Sequence, residues 1–324
     1  MNLTKTKGEK LMNSKYEYIC DPQKRYDFVF LFDVRDGNPN GDPDAGNLPR
    51  VDPETMEGLV TDVCIKRKIR DFVQVTKNVP IFIQSRTALN TLIEEAGKEI
   101  GIEVQKDGGK AKVMKTDSET GATTEIKGSR PIEEVRKRLC ELYYDIRMFG
   151  AVLSTGDLNA GQVRGPVQLT FARSVDPVLP LDLSITRKAR TTEERMESGE
   201  TEMGRKPLIP YGLYRAHGFY NPFLAERTGV SKEDLKLFWE ALQYLFDFDR
   251  SASRGEMAVR GLFVFRHEDK KGNAPAHKLF ELVKVRRQES VETPRSFADY
   301  MVATPPEGSL DGMGFAGVTL VRLV

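Results

Sequence analysis

Apolar and polar positions follow strand and helix periods in separate parts of the chain. Residues 26–34, YDFVFLFDV, are apolar on nearly both faces, which is typical of a central strand buried on both sides. Strand character recurs in five segments, at 79–84, 165–175, 179–190, 259–267 and 279–287. Helical periodicity predicts four helices, at 56–75, at 89–96, after Pro131 and at 231–248, the last with Ser231 as N-cap and Asp234 at its third position.

The order of these elements predicts an α+β fold. With insertions removed, the pattern is β-α-β-β-α-β, which is the ferredoxin-like order. We expect one domain over residues 16–324, preceded by a flexible leader at 1–15. Residues 79–147 contain a long polar stretch between two helices and are expected to project as an insertion. Residues 186–208 form two basic strand-like arms around a polar tip, which predicts a protruding hairpin.

One long loop has few apolar residues to pack into a core. It is RDGNPNGDPDAGNLPRVD, residues 35–52, and it lies between the first strand and a helix rich in Lys and Arg. Lys66 and Arg70 are one turn apart on that helix, Arg67 adjoins them, and Lys68 points elsewhere. Because glycine lets backbone N–H groups approach a phosphate closely, loop and helix together suggest a phosphate-backbone site. The plainer interpretation is a solvated charged surface.

Other motifs have competing interpretations. Alternating Asp and Asn in the loop resemble calcium ligands, but the distal bidentate Glu of an EF-hand is absent. RGLFVF, residues 260–265, resembles an RNA-recognition signature, although a buried strand with Phe263 and Phe265 in the core explains it more simply. The polar turn at 249–256 carries donors that suit either phosphate recognition or helix capping.

The composition limits the functional classes. The 324 residues carry 49 Lys and Arg against 48 Asp and Glu, a net charge of +1, so a nucleic-acid site has to come from local clustering. Three dispersed cysteines and three histidines show no zinc-ligand spacing and no catalytic set. We therefore expect a cytoplasmic protein without membrane segments, metal, cofactor or enzymatic activity.

Several long motifs together resemble one family. They are FLFDVRDGNPNGDPDAGNLPRVDPETMEGLVTDVCIKRKIRDF, RMFGAVLS with GQVRGPVQLTFARSVDPV, and DFDRSASRGEMAVRGLFVF. The chain from Tyr16 onward is similar to the guide-RNA-binding backbone subunits of CRISPR Cascade complexes, the Cas7 family of the RAMP superfamily, most closely the type I-C form. The resemblance implies a modified RRM-like palm, fingers formed by the 79–147 insertion, and a thumb formed by the 186–208 hairpin.

The same resemblance implies partners and a role. Copies are expected to stack head to tail along one guide crRNA, kink it at intervals and present it for pairing with a target DNA strand in antiviral defence. The other expected partners are the Cas five-type subunit and the large Cas eight-type subunit. The expected RNA-binding residues are Asn38, Asn40, Arg50, Lys66, Arg67, Arg70, Gln84, Arg86, Gln162, Arg164, Arg187, Lys188, Arg190, Met203, Arg205, Lys206, Arg250, Ser251 and Arg254.

Two other hypotheses stay open at this point. Type III relatives cut target RNA with a loop aspartate, so a metal-dependent endoribonuclease using Asp33, Asp36, Asp42 or Asp44 is an alternative. Against it, Asp36 and Asp42 are explained as turn formers beside Gly and Pro. A structural filament without RNA is the third hypothesis, but such a protein would not need the basic clusters.

Overall fold

The computed structural model describes residues 14–85, 87–107, 110–116, 120–126, 130–187 and 202–324. Three predicted RNA-binding residues, Arg86, Lys188 and Arg190, lie outside these ranges, and the side chains of Arg187 and Met203 are outside the description as well. Most of the predicted leader and the tip of the predicted hairpin also lie outside. Residues 14–19 are helical.

The fold is built around the strand that the apolar run predicts. This strand, β1, extends over Tyr26–Gly37 and is buried along nearly its whole length. The remaining strands of the described residues are β2 Gly41–Asp42, β3 Leu48–Pro49, β4 Glu57–Val60, β5 Ile102–Asp107, β6 Lys110–Thr116, β7 Thr123–Glu125, β8 Gly150–Val152, β9 Gln162–Arg164, β10 Val167–Leu169, β11 Ala172–Pro177, β12 Leu181–Arg187, β13 Glu202–Tyr220, β14 Glu256–His267, β15 Lys284–Arg287, β16 Tyr300–Ala303, β17 Gly308–Ser309 and β18 Val318–Arg322.

A nine-stranded antiparallel sheet contains most of the longer strands. Its order is β17-β18-β14-β1-β13-β11-β4, and β10 and β12 also pair with β13. β1 runs antiparallel to both neighbours, with Phe28 opposite Gly218 on β13 and opposite Val264 on β14. The mixed α+β class and the central position of β1 are therefore confirmed.

The helices lie in three places: against the main core on one face of this sheet, in the insertion, and, for the last short helix, on the opposite face of the sheet. They are α1 Asp62–Lys77, α2 Leu89–Glu99, α3 Arg130–Leu142, α4 Tyr144–Phe149, α5 Pro222–Thr228, α6 Lys232–Phe248 and α7 Ala276–Phe280. α6 begins with the predicted capping box between Ser231 and Asp234. Along the chain β1, α1, β11, β13, α6 and β14 follow one another with other elements between them, and their assignment to a modified ferredoxin-like palm stays a prediction.

The apolar residues form separate cores. The main core lies between the sheet and helices α1 and α6, and is centred on aromatic residues such as Phe28 and Trp239, whose ring centroids are 5.2 Å apart. A second core, which includes Phe82, Leu92 and Leu139, belongs to the predicted insertion. A third core on the opposite face of the sheet contains Phe263 and Phe265, as the strand interpretation of RGLFVF requires.

Three predicted elements are wrong. α1 begins at Asp62 rather than at residue 56, because residues 57–60 pair with β11 as strand β4 and Thr61 caps the helix. Residues 79–84 form no strand, since the backbone N–H groups of Phe82 and Ile83 donate to the Asp145 carboxylate instead. The segment 279–287 is divided between α7 and β15.

The same segment lies outside the main sheet. β15 pairs with β16 and not with β14. The strand beside β14 is β18, over Val318–Arg322, which the sequence pattern did not predict. None of the helices in the described part of the chain is both long enough and apolar enough to span a membrane.

Candidate nucleic-acid interface

Hydrogen bonds from its own asparagines fold the glycine loop, defined as residues 35–52. Asn38 is buried and donates from Nδ2 to the Asn47 carbonyl oxygen at 2.7 Å. Asn40 Oδ1 accepts from the backbone N–H of Thr61 at 2.9 Å and from the Thr61 hydroxyl at 3.0 Å. The Asn38 side chain is thus buried inside the loop, its RNA contact stays a prediction, and Asn40 ties the loop to the start of α1.

A short ladder closes the loop. β2 and β3 pair across it, and the half-buried Arg50 forms a 3.2 Å ion pair with Asp42. Asp42 also caps the 3-10 turn at Pro43–Ala45 by accepting from the backbone N–H of Asp44. The loop is therefore an ordered β-hairpin-like structure, and Val51 near its end packs against the main core.

Two glycines let this loop lie directly on the serine–arginine turn, defined as residues 249–256, which joins α6 to β14. A Cβ atom on Gly37 would lie 1.9 Å from the Arg254 carbonyl oxygen. A Cβ atom on Gly255, whose φ is +63°, would lie 2.3 Å from the Arg35 carbonyl oxygen. Only glycine permits this approach of two backbones without displacement.

Asp249 links the turn to α1. Its Oδ2 accepts from Arg254 Nε at 3.1 Å and pairs with the Nζ of Lys68. Lys68 is buried and faces away from the exposed side of α1, as predicted, and burial lowers its pKa to about 8. The backbone N–H of Asn38 donates to the Ser253 carbonyl oxygen at 2.8 Å. Loop, turn and helix are thereby joined into one unit.

The outer part of the turn stays at the surface. Arg250 forms an exposed 3.0 Å ion pair with Asp247. The Ser251 and Ser253 hydroxyl oxygens are 3.2 Å apart, and Ser251 is exposed. Of the three predicted contacts in this turn, Arg250 and Ser251 are accessible, whereas Arg254 is engaged with Asp249.

The basic residues of α1 have carboxylate partners. Lys66 pairs with Asp62 at 3.0 Å and Arg67 pairs with Asp71 at 2.7 Å, both one turn away along the helix. Arg67 also donates from Nη1 to the Ile83 carbonyl oxygen at 3.2 Å. The Arg67 side chain is 41% exposed against 13% for Lys66, so Arg67 is the more accessible cation.

Arg70 has a structural environment. It is buried, and its Nε lies 2.8 Å from Asp145 Oδ2. Asp145 also accepts from the backbone N–H groups of Phe82 and Ile83 at 2.7 and 3.0 Å. The charge of Arg70 is therefore buried and compensated, and its phosphate contact stays a prediction. Gln84, next in the chain, is half-buried.

The aromatic ring of Phe149 brings α1 beside a small hairpin. Lys66 Nζ and the Arg70 guanidinium carbon lie 5.9 and 5.3 Å from the centre of this ring. The next residues form β8, which pairs with β9. On β9, Gln162 and Arg164 are exposed, and Arg164 has no ion-pair partner among the described residues. Phe149 thus links the basic side of α1 to the hairpin that carries Gln162 and Arg164.

The predicted thumb arms are paired strands. β12 and the first part of β13 form an antiparallel ladder from Leu181 opposite Leu208 outward to Arg187 opposite Glu202. Arg205 is exposed and pairs with Asp182 at 2.8 Å. Lys206 is half-buried and has no ion-pair partner within the described chain. β13 continues from this hairpin into the centre of the main sheet.

Asp33 is part of a buried polar cluster. Tyr211 donates from its hydroxyl group to Asp33 Oδ2 at 2.9 Å, and Arg260 Nε lies 2.9 Å from the same oxygen. Burial raises the pKa of Asp33, while Arg260 and the hydrogen bonds oppose this shift. The carboxylate is thus paired within the chain with residues of the two strands that flank β1.

The other loop aspartates occupy turn positions. Asp36 has a positive φ of 47°, and Asp44 is exposed. Within the described residues, no group of three or more His, Cys, Asp or Glu side chains is arranged to hold a metal ion.

Sequence reasoning missed Asp249 and Asp145, which hold this site together. Asp249 lies 181 positions from Lys68, and Asp145 lies 75 positions from Arg70. The motif DRSASRGE marks a turn, but no local signal in one sequence indicates which distant lysine or arginine such an aspartate meets.

Fold and site define an α+β protein in which a glycine-rich loop, a polar turn and a basic helix meet at one end of an antiparallel sheet. The family model described as "CRISPR-associated protein Cas7" matches residues 24–305. The chain therefore belongs to the Cas7 family of CRISPR-associated proteins.

Individual relatives are more distant. A "CRISPR-associated protein Cas7" of Haloferax volcanii is 25% identical over 299 residues, which is 86% of this chain and 80% of the relative. Among solved structures, a chain of "CRISPR RNA-guided surveillance complex, pre-nicking" has 14% identity and a TM-score of 0.46, covering 74% of this chain and 78% of the other. A chain of the "Type III-B Cmr-beta bound to cognate target RNA" has 15% identity and a TM-score of 0.38, covering 80% and 68%.

Proposed function

We propose that this chain is a non-catalytic, guide-RNA-binding backbone subunit of a type I-C Cascade complex that presents its guide to target DNA. The observation that carries this proposal is the family match over residues 24–305. The motifs described under Sequence analysis support the type I-C form. In this proposal the protein works in the cytoplasm.

The arrangement of the candidate interface supports a guide path along one end of the sheet. Arg67, Gln162 and Arg164 are exposed on adjacent elements, and Arg250 and Ser251 are exposed on the turn that holds the glycine loop. Donors of this kind fit the sugar–phosphate backbone, which carries no sequence information. Pairing between guide and target would supply the specificity.

Assembly is the second part of the proposal. Copies would stack head to tail along the guide, with Cas five-type and large Cas eight-type subunits as further partners. The paired arms β12 and β13 are long enough to extend away from the sheet, which suits a thumb that crosses the RNA. A wedge role for Met203, and RNA contacts by Arg187, Lys188 and Arg190, stay predictions.

A salt-dependence experiment tests the guide path. The double variant R67A/R164A removes two accessible cations, so its plot of log affinity against log salt for guide RNA should be shallower by about 1.4, because each phosphate that a cation neutralises on a single strand contributes about 0.7 to the slope. K77A/R227A removes two exposed cations from α1's far end and from α5, and should keep the wild-type slope. Equal slopes for both double variants would contradict the proposed path.

The non-catalytic role has its own test. The assembled complex is incubated with RNA complementary to the guide and with Mg²⁺ or Mn²⁺, and the RNA is then separated by size. We expect intact RNA, because Asp33 is buried against Tyr211 and Arg260. Regularly spaced cleavage that is lost in D36N, D42N or D44N would show instead that the chain is a nuclease.

A further inference from the structure

A groove lies on the face of β13 that is turned away from the main core. Along this strand Tyr214 and Ala216 belong to the main core, so Arg215, His217 and Phe219 point to the other face. α7 and β15 cover that face only in part. Two cavities of about 460 and 830 Å³ remain, and they share Arg215 and His217, so they form one continuous groove, the β13 groove.

Planar rings form the floor of the β13 groove. The rings of His217 and Phe280 are parallel, with an interplanar angle of 2° and centroids 4.3 Å apart. Arg215 Nε donates to His217 Nε2 at 2.9 Å, which requires that this nitrogen carry no proton. Burial and the neighbouring Arg215 lower the pKa of His217 to about 4. The floor is therefore an uncharged, flat surface at neutral pH.

Three of the cations that line the groove have no carboxylate partner among the described residues, whereas Arg173 pairs with Asp52 and Glu57. The Arg215 guanidinium donates to the Phe280 and Val283 carbonyl oxygens at 2.6 and 2.8 Å, but has no carboxylate partner in the described structure. Lys284 and Arg286 are exposed on the β15 side and likewise have no ion pair among the described residues. Glu281 is the acidic side chain among the residues that line the groove. The groove thus carries an excess of positive charge over flat apolar surface.

The other end of the groove combines an aromatic ring with a cation. Phe171 is 52% exposed and lines this end of the groove. Arg173, two residues further on, pairs at 2.9 Å with Asp52, the last residue of the glycine loop. The groove therefore begins at the edge of the loop and continues along the sheet.

We propose that the β13 groove binds single-stranded nucleic acid, with phosphates at Arg215, Lys284 and Arg286 and a base stacked on Phe171. Cations without a carboxylate partner beside an exposed aromatic ring, here Phe171, are the combination that single-strand grooves use. Single-stranded RNA is also bound on the open face of small antiparallel sheets, with bases on aromatic side chains. An acidic peptide would satisfy the cations, but it would leave the flat ring surface unused.

Fluorescence anisotropy with a labelled oligouridylate of about eight nucleotides tests the proposal, because grooves for single strands hold about 4–16 nucleotides. K284A/R286A should weaken binding about tenfold or more and make the salt plot shallower by about 1.4. F171A should weaken binding between about fivefold and a hundredfold without changing the salt slope, since stacking is lost and no charge is removed.

Matched controls make the test specific. K278A/R227A removes two exposed cations outside the groove and should bind like the wild type. Binding by K284A/R286A and F171A that equals this control would overturn the proposal. So would tight, groove-dependent binding of poly-glutamate together with no binding of oligouridylate, which would assign the groove to acidic peptides.

A further experiment identifies whether the groove holds the guide RNA or a second strand. The labelled oligouridylate is added to protein that already carries its guide RNA. Binding that is weakened by the groove variants would show that a second strand enters the groove. Loss of oligouridylate binding on guide loading would show that the guide itself occupies the groove. The proposal does not rest on the guide path, because the two residue sets are different. If R67A/R164A lost guide binding while the groove variants bound oligouridylate like the wild type, the guide path would be supported and the groove proposal overturned. If the groove variants lost oligouridylate binding while R67A/R164A kept guide binding, the groove would be supported and the guide path overturned.

Discussion

Asp249 shows how one side chain can hold a surface loop in place. It joins Lys68 on α1 to Arg254 in the serine–arginine turn, and the backbone of that turn lies against the glycine loop. Lys68 has no other carboxylate partner in the described structure. A buried charge without a partner is costly. We therefore expect Asp249 to stabilise the fold whether or not RNA is bound.

D249N should lower the free energy of unfolding by about 3 kcal/mol, near the lower end for breaking a buried ion pair because Asp249 is partly exposed. D247N is the matched control, since its pair with Arg250 is exposed and should contribute about 0–1 kcal/mol. Urea unfolding of both variants measures the difference. Equal losses would mean that Asp249 has no special structural role.

The lowered pKa of His217 predicts how the stability of the fold depends on pH. Its folded-state pKa of about 4 lies below the ordinary 6.5, so the unfolded chain binds the proton more readily between these values. Stability should therefore fall as the pH drops from about 6.5 to 4, by at most about 3 kcal/mol and less because the ring is partly exposed. H217Q should lose this part of the pH dependence in urea unfolding, whereas H277Q, which removes an exposed histidine of the same groove, should keep it. If the unfolding free energy of H217Q depended on pH as steeply as that of the wild type, this assignment would be refuted.

Residue roles were predicted less well from the sequence than residue locations. The basic character of α1 and the polar turn were found correctly, and Lys66, Arg67 and Arg250 are at or near the surface. Asn38 and Arg70 are buried instead. Sequence patterns identify the residue type and the local element, but burial of these two depends on partners that are distant in the chain or formed by the loop itself.

At the scale of elements, the glycine loop and the serine–arginine turn behave as one unit. Their contact is between backbones, and two glycines make it possible. Local elements of this kind were predicted well: α2, α3 and α6 have the helical periods that the sequence shows. The strands at 79–84 and 279–287 were wrong because strand formation depends on pairing with distant segments, and the short β18 carries too few residues to give a pattern.

G255A should disturb the contact between loop and turn. The new Cβ would lie 2.3 Å from the Arg35 carbonyl oxygen, so the loop has to move away from the turn. We expect a loss of about 2 kcal/mol or more in unfolding free energy, together with faster amide hydrogen exchange in residues 35–52.

G229A is the control for backbone strain. Gly229 also has a positive φ, of 79°, but a Cβ there would meet no atom within 4 Å. Its substitution should cost about 1 kcal/mol and leave exchange in the glycine loop unchanged. Faster loop exchange in both variants would show that general destabilisation, and not the loop contact, causes the effect.

At the scale of the whole molecule, β13 connects the proposed thumb to the centre of the sheet. It begins in the hairpin with β12, continues beside β1, and carries the β13 groove on its outer face. A force on the hairpin would therefore act on the sheet beside the proposed guide path. The mixed α+β class and the central position of β1 could be predicted from the sequence, whereas the groove could not, because its lining comes from segments far apart in the chain.

Native mass spectrometry of the chain co-expressed with guide RNA tests the central claim most directly, namely that copies of this protein assemble along a guide. The proposal predicts particles in which several copies share one RNA, and a copy number that rises in steps as the guide is lengthened. An RNA-free protein, or a copy number that is independent of guide length, would contradict it.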